Sequence, residues 1–122
     1  MNREKFAEMM EYSPKHDWTA IYKQIEDLNK AILRKYGAND CFTLFFEEGA
    51  ELTQELCKFI RDDKKKDLYG VIEELADVSI VLERINEWLA WTLEGITDRD
   101  YDDIMNRAIE IKLEELKKKH IV

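Results

Sequence analysis

Five acidic residues define the chemistry open to this chain. Glu47, Glu48 and Glu51 stand in one strongly helical stretch, and Glu74 and Asp77 stand in the next. Residues three apart are neighbours on a helix surface, so Glu48 with Glu51 and Glu74 with Asp77 each make a close carboxylate pair. If the two helices pack antiparallel, four acids converge on one point. Ionised carboxylates repel one another and burial sharpens the penalty, so such a cluster needs a neutralising cation. The ligand set is all oxygen. His16 and His120 both lack a Glu three residues upstream, so the Glu/His pairs of di-iron bundles are missing. Hard oxygen ligands favour Mg²⁺, with Mn²⁺ as the alternative, over zinc or iron.

Helical geometry places these acids relative to the apolar face. With Phe45 set at zero and about 100° per residue, Leu52, Leu56 and Phe59 cluster near it, and Glu48 falls inside the same arc at about 300°. Glu51 lies at its border near 240°, and Glu47 further out near 200°. On the following helix Glu74 and Asp77 are about 60° apart and flank the apolar stripe. No basic residue stands one turn from Glu48, where the neighbours are Leu44, Phe45, Glu51 and Leu52. Around Asp77 they are Glu73, Glu74, Ile80 and Val81. Local ion pairing therefore relieves neither acid.

The elements that must hold these groups are helices throughout. A short amphipathic segment from Met1 to Tyr12 is followed by Ser13-Pro14, and residues 1–16 read as a first helix and its connection. A second helix begins near Asp17 or Trp18, carries Ile21, Ile25, Leu28 and Ile32, and ends at Tyr36-Gly37. Asn39-Asp40 is the expected cap of a third, running from about Cys41 to Arg61. The polar run Asp62 to Asp67 reads as a connection. A long fourth helix is predicted from about Asp67 to Glu94, stopping at Gly95, with Val71, Leu75, Val78, Leu82, Ile85 and Leu89 as its apolar stripe. Thr97 and Asp98 offer caps for a last helix carrying Tyr101, Ile104, Met105, Ala108, Ile111 and Leu113. No segment alternates as a strand does. The expectation is one all-α domain over residues 1–122, a four- to five-helix antiparallel bundle whose metal-binding hairpin spans residues 40–94.

Composition sets further bounds. The chain has 122 residues, 45% of them hydrophobic and 38% charged, enough for one core with long solvated helix faces. A net charge of −8 excludes a general nucleic-acid binder, which needs a basic stripe. It leaves room for a nucleotide bridged by metal ions. No apolar run reaches the roughly 20 residues of a membrane span, and the first segment lacks a signal peptide's apolar centre. Cys41 and Cys57 fit neither a zinc spacing nor a disulfide framework, and read as buried thiols of a reducing cytoplasm.

The acidic words themselves resemble a family signature. EExxE followed by ExxD, present as Glu47, Glu48, Glu51, Glu74 and Asp77, is similar to the motif of the MazG-like all-α nucleoside triphosphate pyrophosphohydrolases. Phe46-Glu47-Glu48-Gly49-Ala50-Glu51-Leu52 and Ile72-Glu73-Glu74-Leu75-Ala76-Asp77-Val78 extend the likeness over about residues 40 to 90. The resemblance implies Glu48, Glu51, Glu74 and Asp77 as Mg²⁺ ligands, with Glu47 alongside as a contact to nucleotide, water or a ligand. A carboxylate not fully committed to the metal, Glu48 or Glu47, is the expected base that activates water. It implies cleavage of a nucleoside triphosphate to a monophosphate and pyrophosphate, as in clearing the nucleotide pool, by a homodimer or homotetramer. Family members use a lysine and, four residues on, an arginine near the C-terminus to hold the triphosphate. Lys112 stands in the first place but Leu116 in the second, with Arg107 or Lys117 as substitutes. Two other readings stay open: a non-catalytic helical module that binds metal or nucleotide, and a structural helical dimer with solvated acids.

Overall fold

The computed structural model describes residues 1–11, 17–62 and 68–120. Among them are five helices and no strand: α1 (Arg3–Met10), α2 (Thr19–Tyr36), α3 (Ala38–Arg61), α4 (Tyr69–Thr97) and α5 (Tyr101–His120). The all-α expectation holds. Ser13-Pro14, His16 and the start of the fourth helix expected at Asp67 lie outside the described residues. No helix among those described is long and apolar enough to cross a membrane.

Local chemistry explains the helix limits, including three that differ from expectation. Asn2 caps α1 by accepting the Lys5 amide at 2.8 Å. Gly37, at φ 84°, ends α2 with its amide on the Leu33 carbonyl at 2.9 Å, and α3 begins at the next residue. Only glycine takes that backbone angle without a steric penalty, so the chain turns in a single residue. Asn39 and Asp40 are consequently inside the first turn of α3 and do not cap it. Gly95 does not stop α4, which continues to Thr97 and breaks where Asp98 takes φ 57°. The cap of α5 is Asp100, whose carboxylate accepts the Asp102 amide at 2.9 Å, in place of Thr97 and Asp98.

The chain divides into two compact units, Met1–Ile85 and Asn86–Val122, the boundary falling within α4. In the first, α2 packs against α3. Glu48 of α3 meets Glu74 and Asp77 of α4, and Glu55 of α3 lies against Gly70 of α4, so the two helices run antiparallel. A methyl group at Gly70 would overlap the Glu55 carboxylate. Tyr69 fastens α1 to the start of α4. Its ring meets Phe6 edge-on at 5.5 Å and lies under the Arg3 guanidinium at 4.8 Å, and its hydroxyl donates to the Met1 carbonyl. In the second unit Tyr101 is buried and donates its hydroxyl to Asn86 at 2.7 Å.

The deepest side chains of the first unit are Asn29, Leu33, Cys41, Val81 and Arg84. The Asn29 amide nitrogen donates to the Ile80 carbonyl at 3.1 Å, and its oxygen accepts from Arg84 Nε at 2.9 Å. The buried face of α4 therefore centres on Val81 and Arg84. Leu75 and Leu82, central to the apolar stripe, are 49% and 45% exposed. The stripe was placed by apolar content alone, and a buried arginine carries no apolar signal, so the face is rotated from expectation. Cys41 is buried as expected, but Cys57 is exposed; both thiols are free. Truncating Asn29 to alanine leaves a buried, charged donor without its acceptor. Urea denaturation of Asn29→Ala should show a loss of about 1–3 kcal/mol.

Candidate metal centre

Glu48 on α3 and Glu74 and Asp77 on α4 each place a carboxylate oxygen within 4.8 Å of the others. The antiparallel run of the helices brings the two pairs to one level. Glu48 and Glu74 are half-buried and Asp77 is exposed. One oxygen of Glu48 and one of Glu74 are sealed from solvent and accept no hydrogen bond. Buried lone pairs are ordinarily satisfied. Among the described residues no basic side chain forms an ion pair with Glu47, Glu48, Glu51, Glu74 or Asp77.

Electrostatics follow from that crowding. Burial lifts the Glu48 carboxyl above its usual range, and the charges of Glu51 and Asp77 lift it further. Burial, then a hydrogen bond with Glu51, then the charges of Glu51, Asp77 and Glu48 push Glu74 up to about 7. Near neutrality the cluster thus holds a proton that a divalent cation would displace. The donor set fits such a cation: three convergent hard oxygens, two bare buried lone-pair sites, surplus negative charge and no nitrogen or sulfur ligand.

The other expected site residues divide by position. Glu51 is exposed and close enough for its carboxylate to act on Glu48 and Glu74, beside the three convergent acids without sharing their common point. Glu47 is exposed on the outer side, close enough for its charge to act on Glu48. Arg107, Lys112 and Lys117 lie on α5 in the second unit, paired with Glu110, Glu115 and Glu114 at 3.2, 3.2 and 3.3 Å. Among the aromatics of α3 and α4, Phe42, Phe45 and Trp88 are half-buried, whereas Phe46 and Trp91 are exposed.

Sequence reasoning missed a cleft of about 320 Å³ with Glu74 in its wall. Arg3, Lys58, Phe59 and Tyr69 also line it, together with Glu55, Asp62 and Glu73, and Lys58 pairs with Glu55 at 3.2 Å, so two basic groups and aromatic surface stand among acids there. Lys58 was readable, since it stands two turns beyond Glu51 on the same helix face. Arg3 was not, because nothing in its own segment says that α1 returns to Tyr69. No protein-family model, curated protein or solved structure matches this chain.

The raised carboxyls set a pH dependence with a definite sign. A carboxyl whose pKa is higher folded than unfolded contributes stability at low pH, and that contribution is lost as pH rises through its folded value. Without divalent cations, thermal stability should fall as pH climbs from about 4.5 through about 7, the interval over which Glu74 is shifted. Saturating Mg²⁺ should cancel that fall, with a larger melting-temperature gain at pH 8 than at pH 6. Glu74→Gln should flatten the cation-free slope. Melting curves that superimpose with and without Mg²⁺ at both pH values would refute the centre.

Proposed function

We propose that this chain is an Mg²⁺-dependent nucleoside triphosphate pyrophosphohydrolase of the MazG-like kind. It would cleave the bond between the α and β phosphates and release a monophosphate and pyrophosphate, a reaction suited to clearing the nucleotide pool. The observation that supports this reading is the convergence of Glu48, Glu74 and Asp77 within 4.8 Å, with two buried oxygens lacking partners. Three of the four acids of the paired signature take part in it.

In this reading Glu48, Glu74 and Asp77 hold the ion, and Glu51 completes the set from their edge. Bound Mg²⁺ supplies Lewis-acid polarisation of phosphate oxygens and acidifies coordinated water. Glu47, outside the convergent set, or a Glu48 oxygen accepts the proton of the attacking water. Arg3 and Lys58, in the cleft beside Glu74, meet phosphate charge, while Phe59 and Tyr69 offer apolar faces to the nucleoside. Arg107, Lys112 and Lys117 remain the phosphate grip implied by the resemblance.

Assembly belongs to the same proposal. Leu28, Phe46, Leu56, Ile60, Leu75 and Leu82 are all exposed on α2, α3 and α4, Phe46 by 71%. Large exposed apolar surface marks a site of association. The chain acts as a homodimer or homotetramer, in a cytoplasm reducing enough to keep Cys41 and Cys57 as thiols. Sedimentation should give twice or four times the chain mass, and Leu82→Lys should lower it.

Purified protein incubated with Mg²⁺ and a panel of ordinary and modified nucleoside triphosphates should release pyrophosphate from at least one. Glu48→Gln and Asp77→Asn should each reduce turnover by at least about 100-fold with helical circular dichroism intact. A panel with no release at high protein concentration, alongside tight nucleotide binding by calorimetry, would favour the non-catalytic module. The pairing of Arg107, Lys112 and Lys117 with neighbouring glutamates is the feature that speaks for that second reading.

A further inference from the structure

Arg84 is the strangest residue in the first unit. It is only 6% exposed, yet no carboxylate among the described residues pairs with it. A buried charge without a counter-ion is costly, and burying an arginine ordinarily demands a carboxylate or several hydrogen bonds. Among the described residues its sole hydrogen bond is from Nε to Asn29, a neutral amide. Asn29 is 0% exposed, and its own nitrogen is committed to the Ile80 carbonyl, which fixes its oxygen toward the guanidinium.

Cys41, the other ionisable group beside Arg84, does not supply the missing charge. Burial holds its thiol above the usual value, although the arginine pulls the other way. The terminal nitrogens of Arg84 have no partner among the described residues, and they are not sealed as Glu48 Oε2 and Glu74 Oε2 are. A planar fork held at Nε, with outer donors that are unpartnered and not fully sealed, is the arrangement that grips a phosphate or carboxylate in two-point fashion.

Its position says which. Arg84 stands seven positions after Asp77, so they share one face of α4, about 20° apart in rotation and roughly 10 Å apart along the axis. Helical side chains lean toward the N-terminus, which carries the guanidinium back toward the acids. One stripe of α4 thus presents metal-binding carboxylates and then an unanswered guanidinium. That is a polarity suited to a polyphosphate neutralised by an ion at one end and by arginine at the other.

We propose that Arg84 binds a phosphate group of the same nucleotide whose metal-bound part lies at Glu48, Glu74 and Asp77, with Asn29 as its positioning residue. The assignment rests on the metal-dependent reading of the acids. It places a phosphate contact in the first unit, in addition to the basic residues of α5.

Inorganic triphosphate with Mg²⁺ is the probe, because it carries the phosphates without a base. Titration calorimetry on the intact chain should show binding, weakened at least about tenfold in both Arg84→Lys and Arg84→Met. The lysine variant keeps the charge and loses the fork. The Mg²⁺-dependent rise in melting temperature should persist in both. Equal triphosphate affinity in wild type and variants overturns the assignment, and so does an undetectable affinity in wild type. If the variants change the sedimenting mass and leave affinity alone, a carboxylate of a second copy answers the guanidinium, and the proposal fails. Should neither variant fold, the Arg84 Nε–H resonance of the wild-type chain decides: it should move on adding triphosphate, and a fixed resonance rejects the contact. Arg84-dependent binding without pyrophosphate release from nucleotides would sink the hydrolase and leave this site standing.

Discussion

Repulsion among carboxylates is the constraint around which the first unit is organised. Glu48, Glu51, Glu74 and Asp77 are drawn together by the packing of α3 on α4, against their mutual electrostatics. The helices cannot separate to relieve it without undoing the packing of Asn29, Leu33, Cys41, Val81 and Arg84 at the same junction. What remains is to hold a proton, as Glu74 does near neutrality, or to bind a cation. The cluster is stable only in company.

The supporting structure is thin for a chain of this length. Few residues are buried, and two of the five deepest in the first unit are polar. A long row of apolar side chains along α2, α3 and α4 faces outward. Such a surface weakens an isolated chain, since apolar area removed from water contributes about 25 cal/mol per Å², and the proposed oligomer would cover it. Fold and site are then different aspects of one helical hairpin.

Much of this was legible in the residues. Spacing of three placed each acid pair on one helix face, and the helical wheel put Glu48 at the apolar arc and Glu47 outside it; the structure has Glu48 half-buried and Glu47 exposed. Helix existence followed from periodicity and from the scarcity of breakers. The limits of α3, α4 and α5 were misjudged wherever a side-chain cap or a glycine was read as punctuation and the backbone angle at Gly37 or Asp98 decided instead. The buried face of α4 was missed because Arg84 looks like a surface residue in any sequence. The cleft lined by Arg3 and Lys58 depends on the return of α1 to Tyr69, a long-range contact without a local signature.

Gly37 is a single-residue joint between α2 and α3. Most helix connections absorb insertions and deletions because several loop residues can rearrange. Here nothing lies between the end of α2 and the start of α3 except one glycine. Adding or removing a residue at that joint would turn the following helix by about 100° unless the junction unwound, carrying Glu48 off its angle to α4. The gearing between the two rods is therefore set in sequence length as much as in composition.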